Sequence, residues 1–158
     1  QRGFWEIEND EYRPMPLALH AVVFQFAGTN PMPFHLVNIL LFAACVILLF
    51  RFLDQLFEGK RRLMAFIAAL LFAVHPLHTE VVANIKSSDE MLSFLFAFLA
   101  MNVFLKYSQS GKITQLLVGG LCIFLAYLSK ETVITFLVII PLVFFFYRSE
   151  NKKQVPIF

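Results

Sequence analysis

Hydrophobic positions fall into five long runs separated by short polar clusters: residues 33–50 (continuing amphipathically to 57), 63–74, 91–105, 113–128 and 133–147. A helix that spans a bilayer needs roughly 17–25 residues, so several of these runs must borrow polar residues at one end. Run 63–74 is the clearest case. It rises only about 18 Å at 1.5 Å per residue, against a hydrocarbon core of about 30 Å. To cross, it must take in His75, Pro76, Leu77, His78, Thr79 and Glu80. Pro76 lacks an N–H and clashes one turn back, which predicts a kink or a helix end near residues 72–75. Ahead of the first run, Pro14 to Ala27 reads as an amphipathic helix bounded by Pro14 and Pro16 and by Gly28-Thr29-Asn30-Pro31. Leu17, Ala21, Phe24 and Gly28 share one face, which leaves His20 and Gln25 on the wetter side. With about ten strongly apolar positions, this helix is expected to lie in the interface rather than to span. Residues 1–13 are polar and acidic, with Trp5 and Tyr12 suited to interface anchoring.

Composition sharpens the class. Hydrophobic residues make up 59% of the 158 positions and charged residues 15%, with 20 Phe against 13 Lys and Arg. Mean hydropathy is +0.71. Soluble domains run nearer 45–50% apolar and about 25% charged. A soluble enzyme, a disordered segment and a nucleic-acid module are all poor fits, and a net charge of +2 implies no polyanionic partner. Cys45 and Cys122 each sit alone inside an apolar run and read as core residues.

Charge placement gives an independent test of the spans. If all five runs cross, loops 51–62, 106–112 and 148–153 share one face and hold nine of the 13 basic residues against three of the 11 acids, a net of +6. The other face carries four basic residues and eight acids, a net of −4. The positive-inside rule makes the first face cytoplasmic. The expected fold is therefore all-α: a polytopic membrane helical bundle with about five transmembrane helices and one interfacial amphipathic helix. Residues 1–32 form a non-cytoplasmic loop carrying the interfacial helix, and 33–158 form the bundle. The competing picture, five core helices of a large soluble protein, does not account for the charge segregation.

The polar residues on the non-cytoplasmic side gather at four places: Asp10 to Pro14, His75 to Glu80, Lys86 to Glu90 and Ser129 to Thr132. Ionisable groups near hydrocarbon cost several kcal/mol and usually face a cavity or one another. His75 and His78 share a face if helix continues through them, which suits phosphate or acceptor recognition, although two interfacial histidines bonded to backbone would look the same. Zinc is weaker, because the segment lacks the His-Glu-x-x-His arrangement. Bis-histidine haem would need His20 or His35 to face this pair. Asp89 and Glu90 follow Ser87-Ser88, where helix capping and the helix dipole favour acids without any further role. Lys130 is either a snorkelling lysine paired with Glu131 or a fixed cation for an interfacial phosphate. Arg13 raises the same question, since a guanidinium binds phosphate bidentately.

Tyr12-Arg13-Pro14, Phe34-His35-Leu36-Val37-Asn38, His75-Pro76-Leu77-His78-Thr79-Glu80-Val81-Val82-Ala83, Asp89-Glu90-Met91-Leu92 and Ser129-Lys130-Glu131 occur in this order. The series resembles the membrane part of the transmembrane and tetratricopeptide-repeat O-mannosyltransferases and their bacterial relatives, within the GT-C superfamily of glycosyltransferases. Residues 83–87 look closer to bacterial members. The resemblance implies transfer of one mannose-like sugar from a polyprenol-phosphate carrier to an acceptor hydroxyl, on a protein, at the non-cytoplasmic face. That face is periplasmic if the bilayer is a bacterial inner membrane, and lumenal in a eukaryote. In such enzymes an acid of the first non-cytoplasmic loop acts as general base, and basic groups or a divalent cation neutralise the departing phosphate. No cofactor is otherwise implied.

The chain departs from that pattern. The family's first span and the start of its first loop are missing, as is the tetratricopeptide array, so the expectation is a piece of a longer protein. Asp10 and Glu11 then stand in for the catalytic acid, whose usual place lies upstream. Arg13, His75, His78, Glu80, Asp89, Glu90, Lys130 and Glu131 are the expected lipid-phosphate and substrate residues. A transporter or flippase-like carrier, and a structural anchor for a tetratricopeptide-repeat protein, are the rival readings. The first would show inverted-repeat symmetry, which the sequence lacks, and the second needs no polar cluster.

Overall fold

The computed structural model describes residues 13–153, and among these there is no strand. Seven α-helices follow one another: α1 (Pro14–Ala27), α2 (Pro31–Leu56), α3 (Arg62–Ala73), α4 (Pro76–Ala83), α5 (Ser88–Ser110), α6 (Ile113–Ser129) and α7 (Ile134–Lys153). Single 3-10 turns at Ile85–Ser87 and Glu131–Val133 lead into α5 and α7.

Local chemistry sets most of these boundaries. Proline opens α1, α2 and α4, where its missing N–H is no loss. Asn30 caps α2 by accepting the Met32 N–H at 3.1 Å. Gly111 closes α5 in the left-handed region (φ 67°), its N–H bonded to the Tyr107 carbonyl. The break expected at Pro76 is present: α3 and α4 meet at a bend of 57°.

Two segments, Pro31–Leu56 and Ile85–Ser110, are long and apolar enough to cross a membrane, and the bent pair α3–α4 makes a third if it counts as one span. The remaining apolar segments, Ile113–Ser129 and Glu131–Phe145, are shorter. The five apolar runs thus become two full-length helices, one broken pair, the 17-residue α6 and the 20-residue α7, whose apolar stretch is shorter than the helix. A 17-residue helix rises only about 26 Å, so α6 needs its polar ends or a locally thinner bilayer to cross.

Helix α5 is the central column. It packs most extensively on α6 and then on α2, and it also meets α1, α4 and α7. Cys45 and Phe52 of α2, Ala97, Phe98, Met101 and Leu105 of α5 and Phe136 of α7 form the core. Both cysteines are buried and free. Because lipid offers no hydrophobic drive between helices, close approach through small residues matters. Ala97, Ala100 and Ala126 are fully buried, and Gly119 of α6 lies so near α5 that a Cβ there would sit 2.4 Å from the Phe104 ring.

Buried amides tie the column further. Asn102 donates to the Leu48 carbonyl at 3.0 Å and to the Phe98 carbonyl at 2.8 Å. Asn38 donates to the Asn84 carbonyl at 3.0 Å. The outward faces are apolar, with Leu63, Leu71, Leu117, Phe124, Val138 and Phe145 all exposed. Such a surface suits lipid as its solvent.

Gly119→Leu is expected to drive α6 off α5. Overpacking of this kind costs about 1–3 kcal/mol, read as a lower thermal midpoint of the detergent-purified protein.

Candidate functional site

The first turn of α1 carries Arg13 at its N-cap. Seven residues on, His20 lies on the same helical face, with buried Pro16 between them. That face meets the start of α5. There the Arg13 Nη1 donates to Asp89 Oδ2, and Nη2 donates to Glu131 Oε1 at 3.0 Å. Lys130 sits in extended backbone (φ −160°, ψ 136°) between α6 and the turn that follows, and this conformation points its chain toward the same spot. Its Nζ donates to Glu90 Oε1 and lies 3.7 Å from Asp89 Oδ2. One buried carboxylate thus joins two cations from elements 76 and 41 positions away in sequence.

The head of α5 is held by more than charge. Asp89 Oδ1 accepts the Glu90 N–H at 2.7 Å. The Ser88 hydroxyl lies 2.7 Å from His20 Nε2, and the His20 ring packs edge-on to Phe34 with centroids 5.8 Å apart. Ser88 is buried at 1% exposure and His20 is half-buried, so this hydrogen bond is partly shielded from solvent. Burial pushes the His20 imidazole below its ordinary range, against the opposing pull of Asp89 and of the Ile85 backbone. The Glu131 carboxyl is also held low, first by its own backbone N–H; desolvation opposes this, and Arg13 and then Lys130 add to the lowering.

Two expectations change here. His20 does not lie on the wetter side of α1: the face packed inward runs through Pro16, His20 and Val23, while Ala21 and Phe24 point outward. Alternation of apolar residues alone mis-set the rotation of the helix, because the polar partner of His20 comes from α5. Nor is Asp89 confined to a helix-start role. Ser87 occupies the N-cap of α5 without a side-chain bond, and Asp89, in the first turn, accepts the Glu90 N–H with one oxygen and pairs with Arg13 through the other.

Of the sequence-derived residues, Arg13, Asp89, Glu90, Lys130 and Glu131 come together. Asp10 and Glu11 lie outside the described residues. His75 caps α4, its Nδ1 accepting the Leu77 N–H at 3.4 Å. His78 packs on Phe72 and Phe42 with centroids 4.3 and 5.2 Å away. The two imidazoles are 5.9 Å apart, and their described contacts do not include the charge cluster. His78 instead lines a cavity of about 370 Å³ with His35, Ile39, Phe42 and Thr79. Glu80 is exposed, and among the described residues it makes no ion pair.

Ser88, Asn38, Asn84 and Asn102 were missed as fastening residues, and His20, weighed as a haem ligand, was missed as the partner of Ser88. The signal for Asn38 and Asn102 was present, since an amide inside an apolar run has to find a partner. Asp89, Glu90 and Glu131 direct their carboxylates at Arg13 and Lys130. Among the described residues there is no group of three or more His, Cys, Asp or Glu arranged to hold a metal ion.

The model of the dolichyl-phosphate-mannose-protein mannosyltransferases matches residues 12–158. The chain belongs to that family. Among curated mannosyltransferases, protein O-mannosyl-transferase TMTC1 of Homo sapiens is 39% identical over 112 residues, covering 71% of this chain and 12% of the relative. Protein O-mannosyl-transferase TMTC3 of Mus musculus is 40% identical over 116 residues, covering 70% and 12%. Protein O-mannosyl-transferase TMTC2 of Mus musculus is 33% identical over 155 residues, covering 94% and 18%. The chain therefore spans less than a fifth of the length of these relatives. No solved structure matches it. Apolar helices and membership of the mannosyltransferase family together make this an integral membrane protein.

Asp89 and Glu131 should separate cleanly in stability. Asp89→Asn breaks a buried pair, with a limiting cost of about 3–5 kcal/mol, whereas Glu131→Gln at the exposed limb costs under about 1 kcal/mol. Thermal unfolding of the purified variants measures the difference.

His20 gives a pH prediction. Its docked pKa lies below the free value of 6.5, so undocked α1 takes up the proton first as pH falls. Docking is at full strength above pH 6.5 and weakens as pH drops through and below it. Amide exchange in α1, taken relative to α5, should rise between pH 7.5 and about 5.5, and His20→Gln should flatten that rise.

Proposed function

We propose that this chain is the membrane part of an enzyme that transfers mannose from a polyprenol-phosphate carrier to a protein hydroxyl. In this reading the Arg13–Lys130 cluster holds the carrier phosphate. The observation that carries it is the convergence on Asp89 of two cations supplied by α1 and by the α6–α7 junction. Nothing in the local helix chemistry of either element calls for that meeting, and two fixed cations over a partly dry site suit a phosphate that gains charge as its sugar leaves.

The roles follow from the chemistry. As the anomeric carbon–oxygen bond breaks, the electron pair stays on the phosphate oxygen, and Arg13 and Lys130 offset the charge. Asp89 orients both cations. The acceptor oxygen forms the new bond to the anomeric carbon as its proton passes to a carboxylate of the first loop, Asp10 or Glu11 in this chain or one upstream. His78, with His35 and Thr79, forms a second substrate-facing region around the cavity, and His75 and Glu80 flank it in sequence. The cluster faces the non-cytoplasmic side, and the basic loops 51–62, 106–112 and 148–153 face the cytoplasm. Residues 1–32 are the loop segment and 33–158 the bundle.

The test uses the full-length protein. Arg13→Ala and Lys130→Ala should each reduce mannose transfer from a polyprenol-phosphate donor by 10²-fold or more, on the order expected for removing one transition-state donor, with membrane yield maintained. Transfer at the normal rate by both variants would remove the cluster from the mechanism.

A further inference from the structure

The five charged groups at the head of α5 do not hold one another equally. Asp89 is buried and fixed on both oxygens, by Arg13 and Lys130 on one and by the Glu90 N–H on the other. Glu90 is a third exposed and bound to Lys130. Glu131 is different: its side chain is 56% exposed, and among the described residues it pairs with the second arm of Arg13, at 3.0 Å. It stands on the single 3-10 turn between α6 and α7. An ion pair so exposed contributes at most about 1 kcal/mol, while the Arg13–Asp89 pair beside it is shielded.

Among the described residues the cluster carries three carboxylates against two cations. Among these described groups the balance is negative, so a phosphate that approaches Arg13 binds best by taking the place of a carboxylate. Arg13 Nη2 holds one Glu131 oxygen, and a phosphate oxygen is an equivalent charged acceptor for that N–H.

We infer that Glu131 is an internal stand-in for the donor phosphate, occupying the Arg13 Nη2 arm until the phosphate displaces it and swings away into solvent. Asp89 keeps the other arm throughout, so Arg13 changes partner without losing its place. The inference rests on the reading of Arg13 as a phosphate ligand. It adds that an acid in the site weakens binding of donor and of the departing polyprenyl phosphate alike, and so aids product release. The low Glu131 carboxyl is consistent with a side chain that remains an anion and competes throughout the physiological pH range.

The experiment uses the full-length protein in lipid nanodiscs. Mannosyl-phosphoryl-polyprenol is the donor, and polyprenyl phosphate and inorganic phosphate are the inhibitors. Glu131→Gln keeps the size of the side chain and removes the competing charge. It should lower the donor KM and both inhibition constants by roughly two- to fivefold, the equivalent of an exposed ion pair. With product held longer, kcat should stay level or fall. Glu131→Asp, which keeps the charge, should stay nearer to the parent protein.

Unchanged or raised KM in Glu131→Gln, while Arg13→Ala still raises KM, overturns the exchange and leaves the phosphate reading intact. A shift for the lipid ligands with none for inorganic phosphate also overturns it, since the competition would then not be for the phosphate group. If Arg13→Ala leaves both KM and the transfer rate unchanged, the phosphate reading falls too.

Discussion

A carboxylate buried at the mouth of an apolar bundle cannot stand alone, and the arrangement of this site follows from that constraint. Transferring Asp89 from water is costly unless charge and hydrogen bonds replace its hydration. Arg13, Lys130 and the Glu90 N–H supply the replacement. Because the two cations come from α1 and from the α6–α7 junction, neutralising one side chain fixes where three separate elements end. The pinning of α1 by His20 and Ser88 belongs to the same solution: it holds the helix at the rotation that keeps Arg13 on target.

The remainder of the bundle supplies a rigid post for that head group. Helix α5 reaches α6 through Gly119 and small alanines, and reaches α2 through the Asn102 bonds to Leu48 and to its own Phe98. These contacts do not depend on water being expelled, which matters where the outer solvent is itself apolar. The break at Pro76 has a different consequence. It places His78 against Phe72 and Phe42, beside a cavity, and away from the charged cluster's described partners. Polar clusters that look equivalent along the chain therefore divide into an ionic site and an imidazole-lined pocket.

Much of this was legible in the chain before any coordinates. Run lengths gave the helices, and proline and glycine gave their ends, because both act through the backbone of their own neighbourhood: α1 begins and stops where Pro14 and Gly28 place it, and α3 stops just short of Pro76. The gathering of Arg13, Asp89, Glu90, Lys130 and Glu131 was legible as a list of residues too costly to leave scattered. The rotation of α1 was not. Its apolar positions are spread almost evenly around the helix, so a hydrophobic stripe could not say which side faced inward, and His20 was assigned to the wrong one. The partner of Asp89 was equally invisible, since capping and ion pairing draw on the same short acid at the same helix position.

By itself, then, the sequence determined an all-helical membrane protein, the breaks in its helices and the set of ionisable residues that had to find partners, because these depend on local backbone sterics and on the cost of charge near hydrocarbon. Only the tertiary structure decided the pairing: which arm of Arg13 faces Asp89 and which faces Glu131, that His20 seats on Ser88, and that His78 keeps company with aromatic rings. Pairing depends on the rotation and separation of helices distant in sequence, and those are set by packing across the whole bundle rather than by any one segment.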